Sequence, residues 1–353
     1  MQLLKEKLNI IIGAGFLITL LSCWNLWIPA GYNNRQVPNI ALSFLRYNPG
    51  ILSFCLWVLL LLAIGADIIG TRFLNGRIAI SNKIILLLSL LALICLDVIR
   101  LQPWVFLFAL FYLAMILCNN TADLFKAVRY ILVGMYMWAG LHKLQPDFID
   151  QVILPLIKLY GIDQRYSVLG YGIAAIEIFI AISLLWSGTR KFSTSVAIGF
   201  HCCVIIQYGI LHQYNLVIIP WNLTCAGVCY LIGKSTPTPF TIKNKRILFV
   251  NWILIGFAGV LPMLHLFGNY PAALSWNLYS GKDKPFLMAA EGHVVPMLFS
   301  SSITTFHKEN VPIININHWI LQQLNVPVNT CDSFIVKKLD SYLKNHYGFQ
   351  SMM

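Results

Sequence analysis

Charged residues are scarce in this sequence, which has only 13 acidic side chains and 11% charged residues over 353 positions. Apolar residues make up 58% of the chain, and the mean hydropathy is +0.72. A soluble core of this length cannot hide so much apolar surface, so the composition excludes an ordinary soluble globular protein. We therefore expect an integral membrane protein.

Basic stripes with interleaved aromatics are also missing, although the formal net charge is +12. Lysines and arginines occur in ones and twos between apolar runs, so the sequence predicts no nucleic-acid partner. The first apolar run carries Trp24 and Trp27 and lacks a small-residue cleavage site, so we interpret it as a membrane span.

Metal-binding motifs are absent as well. Of the nine cysteines, eight lie in or at the ends of apolar runs, and only Cys331 is expected to be exposed. Cys225 and Cys229 share a helix face and could in principle bind a metal, but no Cys-x-x-Cys motif or matching histidine supports this. We predict ordinary packing for both thiols and no metal site.

Nine apolar segments are long enough to cross about 30 Å of hydrocarbon. The third and fourth are short and are separated only by "RLQPW", so a single broken hairpin is the alternative for that pair. The segments are 8–29, 51–70, 84–99, 103–118, 126–143, 168–186, 192–211, 215–233 and 247–267. The fold class predicted for residues 1–268 is thus an all-α polytopic membrane bundle of about nine transmembrane helices.

The distribution of basic residues favours a cytoplasmic N-terminus. In that orientation thirteen lie inside: Lys5, Lys7, Arg72, Arg77, Lys83, Lys126, Arg129, Arg190, Lys191, Lys234, Lys243, Lys245 and Arg246. Six lie outside: Arg35, Arg46, Arg100, Lys143, Lys158 and Arg165.

Residues 269–353 are polar enough to fold in water and combine short β-like runs with two helical patterns, which predicts a small extracytoplasmic α+β domain resting on the outer mouth of the bundle.

Ionisable residues inside the spans are informative because each is costly unless it is paired or faces water. Glu177 and His201 lie about nine residues, or about 13 Å, from the inner ends of consecutive antiparallel spans, which predicts contact near the midplane with Asn222 as a neighbour. A structural clasp between helices is the alternative to a functional role. Near the boundaries, Asp97 and Arg100 are predicted to form a local ion pair, and Asp67 to snorkel.

The stretch "MWAGLHKLQPDF" places Lys143 where the fifth span gives way to water. Gly140 allows close backbone approach, and Pro146 ends the helix soon afterwards. An interfacial lysine of this kind is commonly an anchor. The alternative to an anchor is a reactive group, and the flanking residues bear on that choice.

"YMWAGLHKLQPDF" resembles a segment of the vitamin K-dependent gamma-carboxylase and of the wider horizontally transferred transmembrane (HTTM) domain family. "IEIFIAISLLWSGTRKFSTSVAIGFHCCVIIQYGI" is similar to the next two helices of that family, with a Glu in the first, a Thr-Arg turn and a His in the second. "DVIRLQPW" and "LYSG" look like elements of its bacterial members. The resemblance covers roughly residues 8–280. The chain departs from the carboxylase in having no histidine in 103–141 and a much shorter outer domain.

The resemblance implies a carboxylase-like membrane protein in which Lys143 deprotonates a quinol reached from the outer leaflet. Glu177 and His201 are the further catalytic candidates. The candidate residues for the ligand pocket are Gly140, His142, Trp221 and Asn222.

Two other functions remain open at this point. The first is a non-catalytic lipid- or quinone-binding subunit that supports an extracytoplasmic protein partner through 269–353. The second is a proton-coupled transporter, for which the sequence shows no broken-helix pair or inverted repeat. Many Ile, Lys and Asn residues indicate an AT-rich bacterial genome, which predicts the bacterial inner membrane as the location.

Overall fold

The structure is a computed structural model. It describes residues 2–29, 35–42, 50–71, 73, 76–211, 215–235, 245–268, 270–277, 280, 286–289, 303–305, 312–327 and 333–351. Cys331, the predicted exposed thiol, lies outside this set.

Helices dominate the described chain, as the apolar segments predict, because a helix satisfies its own backbone hydrogen bonds in an apolar medium. Helix α9 begins as Lys245–Ile255 and continues through a π-helical turn, Gly256–Val260, and a 3-10 segment, Leu261–Phe267. The other eight bundle helices in the described residues are α1 Gln2–Ser22, α2 Gly50–Gly70, α3 Gly76–Leu96, α4 Pro103–Leu117, α5 Thr121–His142, α6 Gln164–Leu185, α7 Arg190–Leu211 and α8 Ile218–Lys234. Short helical segments, among them Trp24–Trp27, Pro146–Phe148 and Leu154–Leu159, lie between some of them.

Six of these helices are long and apolar enough to cross a membrane, namely α2, α3, α5, α6, α7 and the Phe249–Phe267 part of α9. The chain is therefore an integral membrane protein, and lipid contacts these helices. Helix α3 has 21 residues and α4 has 15, with a 3-10 turn, Val98–Arg100, between them. Each of the nine predicted segments coincides with one helix, and nine crossings stay a prediction.

Helix α5 occupies the interior of the bundle. In the most apolar 18 residues of α5, 72% of the stretch is buried. The buried share of the same stretch in the other five helices that could cross a membrane is 22–39%. Its closest neighbour is α6 on one side, and the π-helical part of α9 packs on the other. Gly134 permits that second contact, because a Cβ atom there would collide with the carbonyl of Ala258. The indole of Trp138 also donates to the carbonyl oxygen of Gly259, at 2.6 Å.

A buried cluster of charges holds one end of the bundle together. The carboxylate of Asp97 accepts from Arg35 Nη2 at 2.6 Å and lies 3.9 Å from Arg100 Nε. Arg100 also donates to the carbonyls of Leu26 and Trp27, at 3.1 and 2.9 Å. The predicted Asp97–Arg100 pair is confirmed, but Arg35 is the closer partner. Burial lowers the pKa of Arg100 to about 10, so the guanidinium stays charged at neutral pH.

At the other end, the prediction that Asp67 snorkels to the boundary is wrong. Asp67 is buried and pairs with Lys83, while Asn9 donates to the same carboxylate at 3.0 Å. The reason is that α2 and α3 form a tight antiparallel pair, which places Lys83 beside Asp67 and makes burial of both charges tolerable.

The described part of the C-terminal region contains a four-stranded antiparallel sheet with the strand order β2-β3-β1-β4. Two helices lie between β3 and β4 in the sequence. Met288 of β1 lies opposite Ile314 of β3 and Ser351 of β4. The strands are β1 Leu287–Ala289, β2 Ile303–Thr305, β3 Pro312–Asn315 and β4 Gln350–Ser351, and the helices are α10 Ile316–Leu324 and α11 Ser333–Tyr347. This region combines strands with helices, whereas a separate small α+β domain with a boundary at residue 268 stays a prediction.

This C-terminal region rests on the end of the bundle that carries Arg35, Asp97 and Arg100. Asn325 donates to the carbonyl of Ser22 at 2.7 Å and accepts from the amide of Leu216 at 3.1 Å. Gln102, just before α4, donates to the carbonyl of Pro327 at 3.2 Å. The C-terminal region therefore packs on the end of α1 and on the starts of α4 and α8.

We expect Asp97→Asn to destabilise the protein by about 3–5 kcal/mol, because it leaves two buried guanidinium groups without a counter-charge. Asp163→Asn is the matched control, since Asp163 pairs with Arg165 at an exposed site and the loss of that pair is screened by water. The measurement is unfolding of both variants in mild detergent. Equal stability of the two variants would show that the buried cluster does not hold this end together.

Candidate functional site

Lys143 is the residue that terminates α5. The helix ends at His142, Lys143 is its C-cap, and a new short helix begins at Pro146. The amide of Lys143 donates to the carbonyl of Gly140 at 3.0 Å. Its side chain is only 11% exposed, so Lys143 turns back into the bundle instead of extending into water as an interfacial anchor does.

The ammonium group of Lys143 makes three hydrogen bonds. Two go to Glu177 of α6, at 2.9 Å to Oε1 and 2.7 Å to Oε2, and the third goes to the carbonyl of Ala139 at 3.2 Å. An ammonium has three donors, so all of them are used. Among the described residues Glu177 has no other hydrogen-bond donor, and the two side chains form an isolated buried ion pair.

Gly140 allows α5 and α6 to approach each other closely beside the Lys143–Glu177 pair. A Cβ atom at Gly140 would lie 2.8 Å from the carbonyl oxygen of Ala174 and 2.8 Å from Ile178 Cγ1. Only glycine therefore lets α5 and α6 approach closely enough for Lys143 to reach Glu177. The predicted close backbone approach is confirmed. That face of Gly140 is filled by α6, and its role in a ligand pocket stays a prediction.

His201 of α7 belongs to a second polar group deeper in the bundle. Its Nε2 lies 2.5 Å from the hydroxyl of Tyr136, and its Nδ1 lies 2.7 Å from Asn222 Oδ1. Because Asn222 donates its amide hydrogen to the carbonyl of Ile218 at 2.8 Å, its oxygen must accept from Nδ1. The tyrosine hydroxyl then donates to Nε2, so an uncharged His201 satisfies every contact.

The structure shows no direct hydrogen bond between Glu177 and His201, and an interaction of the two side chains through one water stays a prediction. Matching depths put both side chains in the interior, and both are buried. Each nevertheless bonds to a residue of α5, Glu177 to Lys143 and His201 to Tyr136. The physical reason is that one face of α5 offers each group a suitable partner, the ammonium of Lys143 for the Glu177 carboxylate and the hydroxyl of Tyr136 for the His201 ring. The predicted neighbour, Asn222, does bond to His201.

Tyr136 is the residue that sequence reasoning missed. It lies seven positions before Lys143, so the two side chains share one face of α5. Arg129 lies seven positions before Tyr136 and continues the same face. A seven-residue spacing of polar side chains within an apolar helix is the signal that would have identified this face.

His142 points to another side of α5 than Lys143, as expected for consecutive helical residues. Its Nε2 lies 3.1 Å from the carbonyl oxygen of Ser275, and its ring meets that of His265 edge-on at 5.3 Å. Trp221 is half-buried on α8, and its Nε1 has no hydrogen-bond partner in the described part of the chain. Ligand-binding roles for His142 and Trp221 stay predictions.

The thiols of α8 are buried, with Cys229 Sγ 3.5 Å from the Tyr136 hydroxyl. Cys229 thus continues the chain of hydrogen bonds through Tyr136 and His201. Within the described residues no three His, Cys, Asp or Glu side chains come together in a way that could hold a metal ion.

No protein-family model, curated protein or solved structure matches this chain. The site is therefore interpreted from its own geometry. That geometry comprises a buried lysine–carboxylate pair near one end of α5 and an uncharged hydrogen-bonded group two turns deeper on the same helix face.

Proposed function

We propose that this protein is a carboxylase-like membrane enzyme of the HTTM type, in which Lys143 and Glu177 exchange a proton with a membrane quinol. The observation that carries the proposal is the ion pair itself, which places a potential base and a proton acceptor in contact inside an apolar bundle. Ionisable groups within a membrane are costly and are commonly functional. The quinol as ligand is taken from the sequence resemblance.

The paired lysine cannot act as a base while its ammonium is intact. Transfer of one proton from Lys143 to Glu177 produces a free amine and a neutral carboxylic acid, with no change in the net charge of the site. Because the transfer stays within the buried pair, it brings no unpaired charge into the apolar surrounding. The 2.7 Å contact gives the proton a direct route.

The free amine then accepts a proton from a quinol hydroxyl. The quinol O–H bond breaks, an N–H bond forms on Lys143, and the site holds one extra proton beside a quinolate anion. The regenerated ammonium stabilises that anion electrostatically, while Glu177 remains neutral. Gly140 acts as a positioning residue because it sets the distance between α5 and α6.

A non-catalytic lipid- or quinone-binding subunit is the second candidate. Its supporting observation is that all three donors of the Lys143 ammonium are already used, as in a structural clasp between helices. In this function the pair fixes α5 against α6, and residues 269–353 carry the docking surface for an extracytoplasmic protein partner.

The proposed topology has nine crossings in a bacterial inner membrane, with the N-terminus cytoplasmic and 269–353 extracytoplasmic. Two observations support it. The nine bundle helices α1 to α9 of the described residues coincide with the predicted apolar segments. The C-terminal region rests on the end of the bundle that the distribution of basic residues assigns to the outside.

Lys143→Arg separates the two functions, because arginine keeps the positive charge but supplies no free amine. Under anaerobic conditions, we expect the absorption of bound quinol to shift towards that of quinolate in the unsubstituted protein and in Lys158→Arg. Lys158 is an exposed lysine and serves as the matched control. Lys143→Arg should retain quinol binding and lose the shift. Quinol bound without any shift in the unsubstituted protein would favour the non-catalytic subunit.

We also expect an impermeant thiol reagent to label Cys331 in intact cells, because 269–353 are proposed to lie outside. The Cys331→Ser variant is the control, since it leaves the other eight cysteines in place. The measurement is the difference in labelling between the two proteins before and after lysis. Labelling of Cys331 only after lysis would reverse the proposed orientation.

A further inference from the structure

Two arginines are buried near the end of the bundle that lies away from the C-terminal region. Arg129 of α5 is 7% exposed, and Arg190, the first residue of α7, is 5% exposed. Lys126, one turn before Arg129, is 8% exposed. Three cations are therefore largely withdrawn from water within one short stretch of the molecule.

Helix geometry brings the two arginines together. Arg129 lies seven residues before Tyr136 on α5, and Arg190 lies eleven residues before His201 on α7. Both intervals return a side chain to the same helix face. Because Tyr136 and His201 are hydrogen bonded at 2.5 Å, the faces that carry Arg129 and Arg190 point towards each other. Arg129 accordingly repels both Arg190 and Lys126 electrostatically.

These arginines have no counter-charge in the described chain. Neither forms an ion pair with a described carboxylate, and the Nε atom of each is buried without a hydrogen-bond partner among the described residues. The nearest acid, Asp123, interacts with Lys126 and with Asn120. This contrasts with Arg35 and Arg100, whose guanidinium groups are satisfied by Asp97 and by backbone carbonyls.

The Arg129 guanidinium lies over the ring of Tyr130, 5.5 Å from its centroid, but the buried Nε atoms of both arginines still lack a hydrogen-bond acceptor among the described residues. Such donors indicate a missing anion, because each unsatisfied buried donor costs free energy. Two arginine forks carried on facing sides of α5 and α7 match the oxygens of a phosphate group better than a single-point ligand. The N-terminus of α7, a 22-residue helical segment, begins at Arg190 and adds its positive dipole to the same place.

We propose that Arg129, Arg190 and Lys126 form a phosphate-binding site at this end of the bundle. The ligand is a phosphate group, either the headgroup of an anionic phospholipid or free inorganic phosphate. Basic pockets between helices on the cytoplasmic side are a recognised setting for such headgroups. This site is separate from Lys143 and Glu177, and it does not depend on the function proposed for them.

The experiment uses the full-length protein purified in mild detergent. Three additions are compared by the shift in melting temperature and by native mass spectrometry: phosphatidylglycerol, phosphatidylcholine and inorganic phosphate, the last against chloride at equal ionic strength. We expect stabilisation and binding with phosphatidylglycerol, with inorganic phosphate or with both. Phosphatidylglycerol alone would identify the lipid headgroup as the source, whereas phosphate alone would identify the free ion. No preference over phosphatidylcholine and chloride would overturn the proposal.

A double variant tests the residues. We expect Arg129→Gln with Arg190→Gln to weaken binding by about tenfold or more, a loss of about 1.4 kcal/mol. The control is Lys191→Gln with Lys234→Gln, which removes the same net charge from exposed residues at the same end. Equal weakening by the control would mean general surface attraction and would refute the site.

A conservative variant covers the case in which the double variant does not fold. Arg190→Lys keeps the charge but removes the planar fork, so binding should weaken while folding is retained. Unchanged binding by Arg190→Lys, with the unsubstituted protein binding phosphate, would remove Arg190 from the site.

Discussion

The cost of a charge inside a membrane organises this structure. Three carboxylates are buried in the described bundle, and each contacts a cation from a different part of the chain: Asp67 with Lys83, Asp97 with Arg35, and Glu177 with Lys143. Such a charge costs several kcal/mol when it is alone, so each pair constrains which helices can be neighbours. Removing one partner leaves the other charge buried without compensation, which is costly. These ion pairs therefore specify which helices pack together more than they add to the free energy of folding.

Helix α5 connects this constraint to chemistry. It is the most buried of the long helices and presents Arg129, Tyr136 and Lys143 on one face at seven-residue intervals. The three levels differ in their electrostatic state: arginines without a counter-charge among the described residues at one end, an uncharged hydrogen-bonded group in the middle, and an ion pair at the other end.

Much of this could be predicted from hydropathy, since every apolar segment became a helix and the polar C-terminal part formed a small sheet with helices. The partners of the buried charges could not. The positions of Glu177 and His201 along their spans correctly placed both side chains in the interior. Position along a span does not say which way a side chain points around the helix axis, so it could not identify the partners. The partners were Lys143 and Tyr136, which lie seven residues apart on one face of α5. Asp67 was misjudged for the same reason, since Lys83 comes from a neighbouring helix that hydropathy treats separately.

The central claim is that Glu177 takes the proton of Lys143 when a quinol binds. Infrared difference spectroscopy of the protein with and without a reduced membrane quinol measures this directly. We predict the carbonyl band of a protonated carboxylic acid on quinol binding, and its loss in Glu177→Gln but not in Asp163→Asn. A bound quinol that produces no such band, or a band that persists in Glu177→Gln, would contradict the account.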